Sequence, residues 1–183
     1  SIKEKGDIYK KYEQLKKQLK SEGLFNIQHK KPIPKFPSKI GIITSLDGVV
    51  IKDIINISQR RSKNIDIIIS PSSVQGIDVH NQIISAINKL LEYNSKDKID
   101  IIIIARGGGS FEDLNCFNNE ELVRKVFELE IPIISGVGHE TDSTIIDFVS
   151  DIRASTPSVA AELAISDDKE TIQTLDLIID KML

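Results

Sequence analysis

From Lys39 onward the sequence alternates short β-branched runs with longer amphipathic stretches, and this alternation constrains the fold more than any other feature. Apolar segments at Lys39–Thr44, Asp66–Ile69, Ile99–Ala105 and Ile131–Ile134 are separated by helical patterns at Val49–Arg61, Val79–Tyr93 and Glu120–Leu129. Strands that read as continuous apolar runs are covered on both faces, as in parallel sheets whose crossovers are helices. The spacing predicts an α/β fold with a doubly wound, mostly parallel, Rossmann-like sheet of at least four strands.

The flanks have a different character. Ile8, Tyr12, Leu15 and Leu19 recur at spacings of 4, 3 and 4 before Gly23, which predicts an amphipathic N-terminal helix over Ile8–Ser21. Prolines at positions 32, 34 and 37 then forbid helix and favour an extended linker. At the other end Thr156-Pro157 reads as an N-cap followed by proline at the first helical position. Beyond it Ile165, Ile172, Leu175, Ile179 and Met182 fall at heptad-like spacings, the start of a coiled coil. The expected division is 1–38 as helix and linker, 39–164 as the α/β domain, and 165–183 as the coiled-coil start. The chain opens with Ser, not Met, and is expected to be part of a longer protein.

Composition removes several classes. A single cysteine, Cys116, allows no intramolecular disulfide, and one Cys with three scattered His makes a structural zinc site a poor expectation. The longest apolar run, Ile101–Ala105, is far short of the roughly 20 residues that cross a bilayer. With no signal-peptide pattern, the chain reads as a soluble, cytoplasmic protein with no membrane partner. Net charge is −3, yet residues 1–39 carry 11 Lys against 4 acids. That local excess suits a phosphate-facing surface, although a solvated helix face accounts for it equally well.

In an open parallel sheet, ligands bind beyond the carboxyl ends of the strands. The loops there carry the unusual residues of this sequence. Arg106-Gly107-Gly108-Gly109-Ser110 places a permanent cation before three residues without side chains, so backbone amides can approach an anion and form a nest. The alternative is a mobile turn with a solvated arginine. Gly136–Asp142 sets His139 between glycines and acids, and a carboxylate three residues away, Asp142, can orient a proton-transferring imidazole. The competing reading is helix-start capping by Glu140 and Asp142 with a structural histidine. Asp53, about a turn into the helix after the first strand, reads from its position alone as a capping-region acid. Asp66 and Asp100 open strands at the opposite edge and read as structural.

Taken together, these motifs resemble the large subunit of exodeoxyribonuclease VII. The stretches that carry the resemblance are Gly23-Leu24-Phe25, Ile40–Ser45, Val74-Gln75-Gly76, Ala105–Ser110, Phe111–Leu114, Phe117–Glu120, Gly136–Asp142 and Asp151–Ser158, in the family's order over most of the chain. The resemblance implies an N-terminal OB-fold that this sequence lacks, a central α/β nuclease domain, and a long coiled coil binding several copies of a small helical subunit. It further implies cleavage of single-stranded DNA from both ends to oligonucleotides, with no added divalent metal. Its essential aspartate falls on Asp53, its arginine on Arg106, and its His and Asp on His139 and Asp142. Two positions depart from the family's pattern: Asn115, where an aromatic is common, and Leu46-Asp47 in the first loop.

The expected function is therefore hydrolysis of phosphodiester bonds in single-stranded DNA. Asp53, Arg106, His139 and Asp142 form the catalytic set, and Gly107, Gly108, Gly109 and Ser110 bind the substrate phosphate. No cofactor is expected to be required, and Mg²⁺ is not expected to be essential. The partners are single-stranded DNA and the small subunits. Two other readings compete: an α/β enzyme using the glycine loop on a nucleotide or sugar phosphate, and a noncatalytic scaffold.

Overall fold

A computed structural model describes residues 2–76, 78–137 and 143–182. Five strands, β1 (Lys39–Thr44), β2 (Asp66–Pro71), β3 (Ile101–Arg106), β4 (Ile133–Val137) and β5 (Ile152–Arg153), form one all-parallel sheet in the order β2-β1-β3-β4-β5. Among the described residues eight α-helices accompany them: α1 (Ile2–Ser21), α2 (Val49–Arg61), α3 (Val79–Asn94), α4 (Phe111–Leu114), α5 (Glu120–Phe127), α6 (Ile145–Val149), α7 (Pro157–Ala164) and α8 (Asp168–Met182).

The isoleucine runs fold this way because each face of the sheet needs apolar cover. Ile101, Ile103 and Ala105 of β3 join Ile51, Ile54 and Ile57 of α2 and the alanines of α7 in one core. The intervening Ile102 and Ile104 point the other way, into a second core built with α3, α5 and α6. This period-2 division puts apolar side chains on both faces of a fully buried strand. Tyr12, Leu19 and Leu24 belong to the second core, and the N-terminal helix lies on its α5–α6 side, where Tyr12 Oη donates to the Ser143 carbonyl at 3.1 Å and Lys16 sits over the Phe148 ring. Lys30 donates to the carbonyls of Phe148 and Ser150, and Lys31 pairs with Asp151, pinning the start of the proline-rich stretch to the α6–β5 corner.

The fifth strand and the longer β4 escape the sequence pattern for a packing reason. β5 has two residues, too few for any period. β4 runs on through Ser135-Gly136-Val137, where small residues are required: a Cβ on Gly136 would lie 3.0 Å from the Ala160 Cβ of α7. No described helix is long and apolar enough to cross a membrane. In α8, Ile172, Leu175, Ile178 and Ile179 are exposed, as a coiled-coil face would be.

Candidate functional site

Strand β1 lies between β2 and β3, so the chain's crossovers diverge on either side of it. A crevice opens at such a switch point, beyond the strand carboxyl ends. A cavity of about 540 Å³ lies here, lined by Ser45, Gly48, Val50, Gln75, Arg106 and Gly107 among others. Three other cavities of comparable or larger size among the described residues, about 600 Å³ beside α8, about 540 Å³ between α2 and β2 and about 710 Å³ at the opposite sheet edge, lack its distinguishing feature. That feature is an unsatisfied cation.

Arg106 is the last residue of β3, and it is buried, with only 3% of its surface exposed. Its Nε donates to the Val74 carbonyl at 2.8 Å, and its Nη2 lies 3.6 Å from the Asp113 carboxylate. Nη1 is the buried side-chain polar atom that finds no hydrogen-bond partner among the described residues. An unmet buried donor costs roughly 1–3 kcal/mol, more when charged. The solvated arginine weighed from sequence is therefore absent.

The glycines around it have separate duties. A Cβ on Gly109 would lie 2.2 Å from Arg106 Nη1, so the third glycine exists to let the guanidinium fold beneath the loop. A Cβ on Gly107 would lie 3.3 Å from Val50 Cγ2, showing how closely the loop meets the first turn of α2. Ser110 caps α4 in a reciprocal box: its hydroxyl accepts from the Asp113 amide at 3.2 Å while its own amide donates to the Asp113 carboxylate at 3.0 Å. Those bonds, backed by Arg106, hold the Asp113 carboxyl below its ordinary pKa. The amide and hydroxyl of Ser110 are thus engaged with Asp113. The sequence reading gave neither Asp113 nor the Val74 carbonyl a role, although the Ser-x-x-Asp spacing of a capping box was there to be read.

Asp53 is half-buried on α2 and does not line the cavity. It lies three and four residues beyond Val50 and Val49, on the helix face that leads to the rim. His139 and Asp142 lie outside the described residues. What precedes and follows their segment is fixed at this edge. Val137 is the register partner of Arg106 on the neighbouring strand, and Thr144 opens α6. The buried Asp147 joins the two sides: its carboxylate accepts from Ser135 Oγ of β4 at 2.7 Å and from the Thr144 amide at 2.8 Å. Burial raises its pKa against these hydrogen bonds and the nearby Arg153. Burial likewise pushes the Cys116 thiol up, which makes it a poor nucleophile. Among the described residues no group of three or more His, Cys, Asp or Glu could hold a metal ion.

The fold is that of an open parallel α/β protein with a crevice at the strand carboxyl ends and a buried arginine at the switch point. Comparison with known proteins narrows this: the sequence model described as exonuclease VII, large subunit, matches residues 24–182, and the chain belongs to that family. It is 55% identical over 170 residues to the exodeoxyribonuclease 7 large subunit of Clostridium botulinum (strain Loch Maree / Type A3), covering 93% of this chain and 42% of the relative. The protein of the same name from Halothermothrix orenii is 54% identical over 162 residues, covering 88% of this chain and 39% of the relative. That from Clostridium acetobutylicum is 48% identical over 170 residues, 93% of this chain and 42% of the relative. The chain thus spans about two fifths of the length of these curated relatives.

Proposed function

We propose that the chain supplies the phosphodiester-cleaving domain of an exodeoxyribonuclease that degrades single-stranded DNA from both ends to oligonucleotides, in the cytoplasm, assembled with small subunits bound along a coiled coil continuing from α8. The single observation that carries the reading is Arg106: a buried guanidinium with an unused donor, at the switch-point cavity, in a chain whose relatives bear an exodeoxyribonuclease name. Negative charge builds on the nonbridging oxygens as phosphorus is attacked. Arg106 and the amides of Gly107–Gly109 are assigned to stabilise that charge. His139 transfers the proton, Asp142 orients its imidazole, and Asp53 positions the attacking water. No metal is assigned a step.

The test uses the intact large subunit assembled with its small subunits. His139→Ala and Arg106→Ala are each expected to abolish cleavage of single-stranded DNA, and wild-type turnover by either variant removes that residue from the mechanism. Cleavage is expected to survive EDTA. Activity lost on chelation and restored by Mg²⁺ overturns the metal-free assignment. The 183-residue chain alone is expected to bind single strands weakly, with affinity collapsing between roughly 50 and 200 mM salt, because it carries no Trp and only 5% aromatics for stacking. Tight, salt-insensitive binding by fluorescence anisotropy would contradict this.

A further inference from the structure

The chain enters α6 at Thr144, two residues after Asp142, and this entry is fixed more closely than the helix requires. α6 has five residues, too few to be stable alone, and Ile145, Ile146 and Val149 bury it in the second core. Apolar contact of that kind keeps a helix on the sheet without fixing any one backbone atom. Three successive residues at its start are held by side chains as well. The Tyr12 hydroxyl of α1 donates to the Ser143 carbonyl at 3.1 Å. The Thr144 amide and hydroxyl donate to the buried Asp147 carboxylate at 2.8 and 2.9 Å, and Ser135 Oγ of β4 donates to the same carboxylate at 2.7 Å. The Ile145 amide donates to Asn118 Oδ1 at 2.8 Å.

The pairing of Thr144 with Asp147 is local capping and would serve any helix. The other two bonds are not local, since Tyr12 stands 131 residues from Ser143 and Asn118 27 residues from Ile145. Asn118 is buried and closes the single 3-10 turn, Asn115–Asn118, that follows α4, so it ties the chain running on from Arg106 to the start of α6. The Tyr12 ring is itself seated, against Tyr9 and beneath the Lys16 ammonium. Burial, with the carboxylates of Glu13 and Asp147, raises its pKa and keeps the phenol a donor. Buried hydrogen bonds are directional, and several gathered at one point fix backbone positions that packing alone leaves loose. We propose that Tyr12 and Asn118, with Asp147, are positioning residues of the cleavage site: they fix the chain at Ser143–Ile145, the point at which it leaves Asp142. This rests on the cleavage reading above, in which Asp142 orients His139. Consecutive Cα atoms are about 3.8 Å apart across a trans peptide, so a displacement at Ser143 is passed directly to its neighbour. A misplacement of about 1 Å can cost about 10²-fold in rate. α1, although it precedes the α/β segment in sequence, thus serves the cleavage site.

The test measures kcat, KM and melting temperature, with a single-stranded oligodeoxynucleotide as substrate, for variants of the intact large subunit assembled with its small subunits. Tyr12→Phe removes one oxygen and keeps the ring. Its kcat is expected to fall about three- to tenfold with KM within about twofold, the split of a change felt in the transition state alone. Asn118→Ala is expected to lower kcat about 10–100-fold. Asn118→Asp, which keeps an oxygen facing the Ile145 amide, should recover most of that loss. A lower melting temperature with kcat unchanged makes these bonds fasteners and overturns the proposal. So does a rise in KM at unchanged kcat, or an Asn118→Asp no better than a folded Asn118→Ala. Tyr12→Phe decides alone if Asn118→Ala does not fold. His139→Ala, assayed alongside, separates the two failures. If it is inactive while Tyr12→Phe and Asn118→Ala turn over like wild type, the positioning role alone falls. If it cleaves like wild type, the cleavage reading falls and the positioning role with it.

Discussion

The two edges of the sheet treat their charged groups in opposite ways. At the amino edge every prominent carboxylate is answered: Asp100 accepts from the Ser38 amide at 2.9 Å, the Ser38 hydroxyl at 3.0 Å and the Lys39 amide at 3.1 Å. Asp151 accepts from the amides of Lys31 and Ile133, both at 2.7 Å, and pairs with the Lys31 ammonium. At the carboxyl edge, among the described residues, a buried guanidinium keeps a donor without an acceptor and α2 begins without a side-chain cap. Saturated polar groups fasten strands and linkers together. Groups left unsaturated carry a standing cost, so the same residue types serve stability at one edge and, in the function proposed above, binding at the other.

The largest effect that would break this contrast is at Arg106. Replacing it by Met keeps much of the volume and removes an incompletely paired buried charge, a change that is often neutral or stabilising. Arg106→Met is therefore expected to cut turnover of single-stranded DNA by about 10²–10³-fold or more, with a melting temperature no lower than that of wild type. A variant that unfolds while the surviving fraction cleaves normally would place Arg106 among the fasteners.

Asp151→Ala is the mirror experiment. It strands two amides that are buried against the sheet edge, at roughly 1–3 kcal/mol each, so a loss of about 2–5 kcal/mol is expected in denaturant unfolding. The folded enzyme should keep its kcat. A kcat loss without a stability loss would mean that the amino edge is coupled to the chemistry.

Gly109→Ala tests whether the loop seats Arg106. The new methyl would collide with the guanidinium, which cannot move without breaking its bond to Val74. Turnover is expected to fall about 10–100-fold, a near-1.4 to 2.8 kcal/mol effect on the transition state. Gly107→Ala meets only the far end of the Val50 side chain and should cost a few-fold at most in turnover. Equal losses at the two positions would return the glycines to a shared role as a nest.

How much of this was legible depends on the kind of force involved. The parallel α/β architecture followed from the isoleucine runs, because burial on both faces leaves a period in the sequence; α2 was bounded at Val49 and Arg61 from that period alone. The same runs extended too early at Ile99 and Ile131, since apolar residues continue beyond the ladder where the chain enters the sheet. β5 was invisible, being two residues held by the Ser135–Arg153 register and the Asp151 clasp, a tertiary effect. At the site, the place of Arg106 and the glycines at the carboxyl end of β3 was visible from the sequence. What was not visible was that Arg106 is buried under Gly109: whether an arginine after a strand turns outward or inward is decided by distant acceptors such as the Val74 carbonyl, 32 residues away.

The smallest expected effect concerns pH, and it isolates the amino edge from the carboxyl edge. Burial alone would raise the Asp100 carboxyl, but the amides of Ser38 and Lys39 and the Ser38 hydroxyl outweigh it and leave the group below its ordinary value of 3.8. A carboxyl depressed in the folded state adds stability that is present above the unfolded value and is lost as pH falls through the folded one. Asp147 has the opposite sign: burial raises it above 3.8, so its contribution is present below that pH and is lost as pH rises. In wild type the two partly offset each other across the acid range. Asp100→Asn removes one side of this balance, so it should lower stability modestly at pH 7, by about 1 kcal/mol for the weakened hydrogen bonds. The gap between variant and wild type should then begin to narrow as pH falls below about 3.8, where the carboxyl of the unfolded chain protonates, and close as pH falls through the depressed folded value. Urea midpoints at pH 7, 5 and 3 measure it. A gap that stays constant across the three would mean that the charge of Asp100 is irrelevant and that its clasp on Ser38 and Lys39 works by shape alone.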